Sequence, residues 1–175
     1  AAIVERPGLI DEIVRKFGSS TLVASIQAKK TKDGNFTCYT NNGRDNSKKD
    51  VIDWAWEVAE RGVGEILVTS VDRDGTGKGM EIALLEKLTR TLPIPVIGCG
   101  GIGNVGHIRE AVPHIDAIAI GSVLHYNLAE MFIEPTRGCL NEFGFQVVEN
   151  KLLQDSIDHL CLKDIIKIVS DIVGE

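Results

Sequence analysis

The sequence predicts an α/β fold whose sheet is parallel and built from repeated βα units. Three observations carry that expectation. Four short apolar runs, at 22–26, 65–70, 94–97 and 115–120, have the character of buried strands. Segments with apolar residues at helical spacing lie between them, at 51–61, 81–91 and 105–112. Each apolar run is followed closely by glycine, acid or amide, and the carboxyl ends of parallel strands are where such folds keep their chemistry.

In order, Leu9–Val14 follows Pro7 and reads as a helix that Gly18 ends. Leu22–Ile26 is a short strand delivering Gln27, Lys29 and Lys30 at its carboxyl end. Asp33-Gly34 and Asn42-Gly43 are turn dipeptides on either side of Phe36–Tyr39, which predicts a small hairpin inserted after that strand. Over Val51–Arg61 the spacing predicts a helix burying Ile52, Ala55, Trp56 and Ala59, closed by Gly62 and Gly64. Glu65–Ser70 runs into Asp72-Arg73-Asp74-Gly75-Thr76, and the next helix follows from about Glu81. Ile94–Ile97 runs into the glycine-rich stretch Gly98–Gly103, and Ile115–Ile120 ends at Gly121-Ser122. From His125 the chain reads as helix and linker, with a domain end near Val148. A final amphipathic helix over 155–173 carries Leu162, Ile165, Ile166, Val169, Ile172 and Val173 on one stripe. Right-handed crossovers put all four strand ends on one rim, which gathers Gln27, Asp72, Asp74, the 98–103 glycines and Ser122.

Composition narrows the function classes. The 175 residues suffice for a domain with a real core, and 43% hydrophobic with 25% charged residues is ordinary for a globular protein. A net charge of −6 argues against nucleic acid as a partner, since no basic excess exists to neutralise a run of phosphates. Cys38, Cys99, Cys139 and Cys161 are scattered without a CxxC pair, which favours reduced thiols and a cytoplasmic setting over disulfides or zinc. No apolar run nears the length of a membrane span, and no signal peptide is expected, although the start at Ala1 suggests a chain cut from something longer.

The rim residues suggest a phosphate site. Gly98–Gly103 forms a βα turn in which missing Cβ atoms let backbone N–H groups approach an anion; plain turn chemistry is the alternative. A dinucleotide site is disfavoured, because the following strand ends at Gly121-Ser122 rather than at an acid. Two successive loops of type GG and GS match the phosphate site that the last two strands build in (βα)8 barrels. Asp72 and Asp74 alternate along what reads as an extended segment, so one would face the pocket as acid or base. The other would pair with Arg73, Lys78 or a lysine of a neighbouring loop; two solvated loop acids are the plain alternative. Gln27 can only hydrogen-bond, and Lys29 and Lys30 would attract an anion or form a solvated pair. His125 could reach the rim, His107, His114 and His159 read as surface residues, and Cys99 reads as packing. No HxxxH or HExxH spacing points to a metal, and no cofactor is expected.

With these residues in place, the chain resembles the cyclase subunit of imidazole glycerol phosphate synthase, the HisF-like family of histidine biosynthesis. The resemblance rests on Ala2–Ile10, Asn41-Asn42-Gly43, the EIL-x-TS-x-DRDGT string of Gly64–Thr76, Pro95–Gly103 and Asp116–His125, and spans about residues 1–149. The Tyr39–Gly43 hairpin resembles the branch linked to amidation of surface-polysaccharide sugars. The family is a TIM (βα)8 barrel, a lyase that takes ammonia from a glutaminase subunit, cleaves a phosphoribulosyl formimino carboxamide nucleotide and closes the imidazole ring. The resemblance therefore implies a (βα)4 half-barrel over 1–149 with an extra C-terminal helix over 150–175.

By position, Asp74 resembles the catalytic rim acid of the sixth strand, and Thr69 and Ser70 resemble residues lining the barrel interior. Gly75, Gly100, Gly101, Gly121 and Ser122 resemble the cradle for one of the substrate's two phosphates. The family's first-strand aspartate and its other phosphate site have no counterpart here, and its fifth-strand aspartate falls at Gln27. The expected partners are a phosphorylated small molecule, a second copy completing the barrel, and a glutaminase subunit. The alternative is a non-catalytic, self-associating half-barrel that retains the phosphate site.

Overall fold

Strands and helices alternate in the order the sequence anticipates. The computed structural model describes residues 2–125. Two N-terminal helices, α1 (Ala2–Glu5) and α2 (Gly8–Phe17), precede β1 (Val23–Lys30). Then come β2 (Phe36–Thr40), β3 (Asp45–Asp50), α3 (Val51–Glu60), β4 (Glu65–Ser70), α4 (Ile82–Thr91), β5 (Val96–Cys99), α5 (Val105–Ala111) and β6 (Ala117–Ala119). They form one six-stranded sheet in the order β3-β2-β1-β4-β5-β6. Pairing is parallel between β1 and β4, β4 and β5, and β5 and β6, and antiparallel within the β1-β2-β3 meander. The four parallel strands with their helices are consistent with part of a TIM barrel. The 150–175 helix and its boundary lie outside the described residues.

One face of the sheet is covered. Ala24, Ile26 and Ala28 of β1, Ile66, Val68 and Ser70 of β4, and Val96 and Gly98 of β5 are buried on it. Val51, Trp54, Ala55 and Val58 of α3 and Leu84 and Leu88 of α4 pack there, in a core that also takes Ile10 of α2. Each buried Val, Leu or Ile side chain here contributes roughly 1.5–3 kcal/mol by leaving water, so this layer supplies most of the favourable free energy. The opposite face carries Ser25, Gln27, Leu67, Thr69, Ile97 and Cys99, all half-buried or exposed.

Three expectations are corrected. β1 is longer than 22–26, because Gln27 to Lys30 pair with Tyr39 to Phe36 of the inserted hairpin, and the ladder carries the strand on. That hairpin also includes a strand the sequence hides: Asp45–Asp50 reads DNSKKD, a polar set suited to a sheet edge, where charge discourages further pairing. In α3 the buried stripe is Val51, Trp54, Ala55 and Val58, with Trp56 exposed at 42%. Both stripes have the full i, i+3, i+4, i+7 spacing, so periodicity alone does not choose between them; packing against the sheet buries the one containing Val51 and Trp54.

Candidate functional site

The loop after β4 turns back on itself instead of running extended. The Ser70 carbonyl accepts from the Arg73 N–H at 3.2 Å and the Asp74 N–H at 2.9 Å, and Thr76 N donates to Arg73 O at 3.0 Å. The expected alternation of Asp72 and Asp74 along an extended segment is therefore wrong: a turn, not a pleat, sets their directions. Asp72 reaches back to β1, where its Oδ2 accepts from the Lys30 backbone N–H at 2.7 Å. It thus pairs with a neighbouring lysine through that residue's backbone rather than its ammonium. Asp74 is exposed at the rim, and a Cβ on Gly100 would lie 3.3 Å from its Cα, so this acid stands over the glycine loop.

That glycine loop packs against the loop after β4, backbone to backbone. Gly79 N donates to Gly101 O at 2.8 Å, and any Cβ on Gly101 would be driven into the Gly79 carbonyl oxygen. Gly103 meets Gly77 in the same way. Gly100 and Gly101 are buried in this contact, whereas Gly75, Gly121 and Ser122 are exposed. The five residues of the expected cradle thus fall into two sets: two glycines that loop packing already requires, and three residues open to solvent.

His107 anchors the arrangement. Its Nδ1 accepts from the Gly103 N–H at 3.1 Å, its Nε2 lies 3.2 Å from the Asn104 amide, and its ring packs on Gly79. Asn104 caps α5 through the His107 N–H at 3.1 Å. His107 is thus a half-buried loop clamp rather than a surface residue; the Asn-x-x-His spacing at the start of a helix was the available signal. His114 sits just before β6, half-buried and 3.8 Å from Glu86. His125 N donates to Gly121 O at 3.1 Å, so it stands one turn beyond the strand end.

Glu81 is the rim residue that sequence reasoning missed. It occupies the N-cap position of α4 but does not cap; its side chain turns back under the rim and the residue is 8% exposed. One carboxylate oxygen lies 3.4 Å from Lys30 Nζ and the other 3.4 Å from Arg73 Nε. Burial of a carboxylate is tolerable only with such partners. The signal was present: Glu81 shares the i, i+3, i+4, i+7 stripe of Leu84, Leu85 and Leu88, where a charge is out of place. Lys30 is therefore committed to Glu81 rather than free to steer an anion, while Lys29 lies over the Tyr39 ring at 5.4 Å.

Across the open face, the register lines up Tyr39, Gln27, Thr69, Cys99 and Ala119 in one row. Thr69 and Ser70 are split by strand alternation: Thr69 joins this row and Ser70 is buried on the helix side. Gln27 is bonded through its Oε1 to the Gly43 N–H at 2.9 Å. Cys38, behind this row, is buried, and burial together with the nearby Asp50 charge pushes its thiol up to about 12, with Lys49 partly offsetting. It is a packing residue. Cys139, Cys161 and His159 lie outside the described residues.

Comparison with known proteins bears on this rim. Residues 1–130 match the family described as "Histidine biosynthesis protein". The chain is also 40% identical over 153 residues to "Imidazole glycerol phosphate synthase subunit HisF" of Arthrobacter sp. (strain FB24), covering 83% of this chain. It spans 59% of the length of that relative.

Proposed function

Because the chain belongs to the histidine-biosynthesis protein family, as a HisF-like member, we propose that its rim binds a phosphorylated small molecule for cyclase (lyase) chemistry of the imidazole glycerol phosphate synthase type. The phosphate lies against Gly75, Gly100, Gly101, Gly121 and Ser122, and Asp74 faces the reacting end of the substrate. The observation that carries this reading is the clamp between the two loops: Gly79 N–H on Gly101 O at 2.8 Å, with Asp74 held over Gly100. A carboxylate pre-set beside an anion cradle is the arrangement acid–base chemistry on a phosphorylated substrate needs.

The half-open sheet face and the edge strand β6 support completion of the barrel by four further βα units, for which a second copy of this chain is our choice. A glutaminase subunit supplying ammonia and a cytoplasmic setting belong to the same reading. No helix among the described residues is long and apolar enough to cross a membrane.

One observation favours a second reading, a self-associating half-barrel that binds phosphate without turnover. Gln27 stands where the family's acid would be, and an amide cannot exchange a proton in catalysis. Two assays separate the readings: turnover of the formimino nucleotide with ammonium, and a titration with inorganic phosphate followed at Gly100, Gly101 and Ser122. Turnover with phosphate-dependent shifts supports the first reading. Shifts without turnover support the second, and a silent titration sinks both.

A further inference from the structure

Gln27 is placed to do something an acid at the same position could not. Its Oε1 accepts the Gly43 N–H at 2.9 Å, and a backbone N–H can face only the oxygen of an amide, so the two ends of this side chain are assigned. Gly43 lies at the tip of the β2–β3 hairpin, after Asn41 and Asn42, and all three have positive φ, at 51°, 56° and 76°. A Cβ on Gly43 would come 2.5 Å from Val71 Cγ1, so the turn is pressed against the loop after β4 and its N–H direction is set by packing. With the oxygen committed, the –NH2 end is the part of Gln27 left to a ligand. Among the described residues it has no protein partner, and the residue is half-buried in the row that Tyr39 and Thr69 share.

We infer that Gln27 is a specificity-determining residue: its amide N–H groups, backed by the hairpin turn, recognise an uncharged hydrogen-bond acceptor, a carbonyl or hydroxyl oxygen, on the body of the bound phosphate ester. The inference rests on the proposed phosphate cradle and adds the group recognised at the far end of the ligand. Distance fits it. Gln27, Thr69 and Cys99 are partners on successive strands, so Gln27 lies two strand spacings, roughly 9–10 Å, from the strand that runs into Gly100. An open-chain five-carbon sugar phosphate bridges such a gap. Tyr39 and Thr69 are the strand partners of Gln27 on either side, and the row contains no acid, so it is built to read polarity rather than to move protons.

The test compares binding of inorganic phosphate with binding of ribulose 5-phosphate by calorimetry on the full chain, in wild type, Gln27→Glu and Gln27→Met. The readout is the ratio of the two affinities, which removes changes common to both ligands. The expected wild-type preference for the sugar phosphate is roughly tenfold, the size of one or two neutral hydrogen bonds. Gln27→Glu keeps an oxygen for Gly43 and removes the donors, so the preference should fall toward unity while the Gly43 amide resonance holds its position. Gln27→Met, which removes both ends, should lose the preference and shift Gly43 as well. Retention of the wild-type ratio in Gln27→Glu overturns the inference. So does a wild type that binds phosphate but does not prefer the sugar phosphate, an outcome that leaves the cradle standing. Failure of wild type to bind either ligand removes the cradle and the inference together.

Discussion

Glu81 and Lys30, 51 positions apart in sequence, form an ion pair at 3.4 Å beneath the rim, with the carboxylate side chain 9% exposed and the ammonium side chain 46% exposed. The other carboxylate oxygen engages Arg73, so one buried acid ties the end of β1 to the loop that carries Asp74. Removing it leaves Lys30 and Arg73 beside an apolar stripe. Glu81→Ala should lower stability by about 1–3 kcal/mol, below the full cost for a buried pair because both cations retain water. Hydrogen exchange should speed up at the amides of Arg73, Asp74, Thr76 and Gly79. Unchanged exchange there would show that the loop holds itself.

Gly101 and Gly121 separate packing from binding. Gly101→Ala forces a Cβ against the Gly79 carbonyl at a φ of 95°, so a loss of about 2 kcal/mol or more is expected in a denaturant titration. A Cβ at Gly121 meets nothing within 4 Å, so Gly121→Ala should change stability by less than about 0.5 kcal/mol. Its effect should appear instead as weaker phosphate binding.

Asp74→Asn should abolish turnover, with a loss of at least about 100-fold in kcat. Phosphate affinity should stay equal or rise, since a negative charge over Gly100 disappears. Equal turnover in wild type and variant would remove Asp74 from the chemistry.

Burial, with the Asp50 charge adding to it, pushes the Cys38 thiol up from its ordinary 9.0 to about 12 in the folded protein. The unfolded chain therefore loses this proton first as pH rises, and the folded state binds more protons between those values. Stability from this group is complete below pH 9 and is lost progressively up to about 12. Chemical denaturation at pH 8 and pH 10.5 should show that fall, and Cys38→Ala should flatten it. Alkylation at pH 8 followed by peptide mass mapping should leave Cys38 unmodified in the folded protein, since it is 1% exposed.

The open face makes its own prediction. Sedimentation at micromolar concentration should give twice the chain mass, and Leu67→Lys, placing a charge among Ser25, Ile97 and Thr69, should return monomers. A wild type that sediments as a folded monomer would remove the second-copy closure.

The order of elements was legible from periodicity, because a buried strand and an amphipathic helix each write their contacts into local spacing. So were the rim position of Asp74 and the glycine loop, since a strand end and a run of missing Cβ atoms are local signals. What local pattern cannot carry is which distant group answers a polar side chain. Gln27 and Gly43 are 16 positions apart and Glu81 and Lys30 are 51 apart, and only the folded sheet brings either pair together. The strand hidden in Asp45–Asp50 belongs to the same class: its residues are polar, and it is a strand because Thr37, Tyr39 and Thr40 offer a ladder. The turn after Ser70 likewise depends on one carbonyl accepting two amides, which sets the directions of both aspartates. The sequence by itself determined the α/β alternation and the glycine-rich rim. Only the tertiary structure decided that Glu81 is buried, that Gln27 has its oxygen spent, and that Gly101 is required by packing. Hydrogen-bond and ion-pair partners are chosen by proximity in space, and that proximity is a property of the assembled fold.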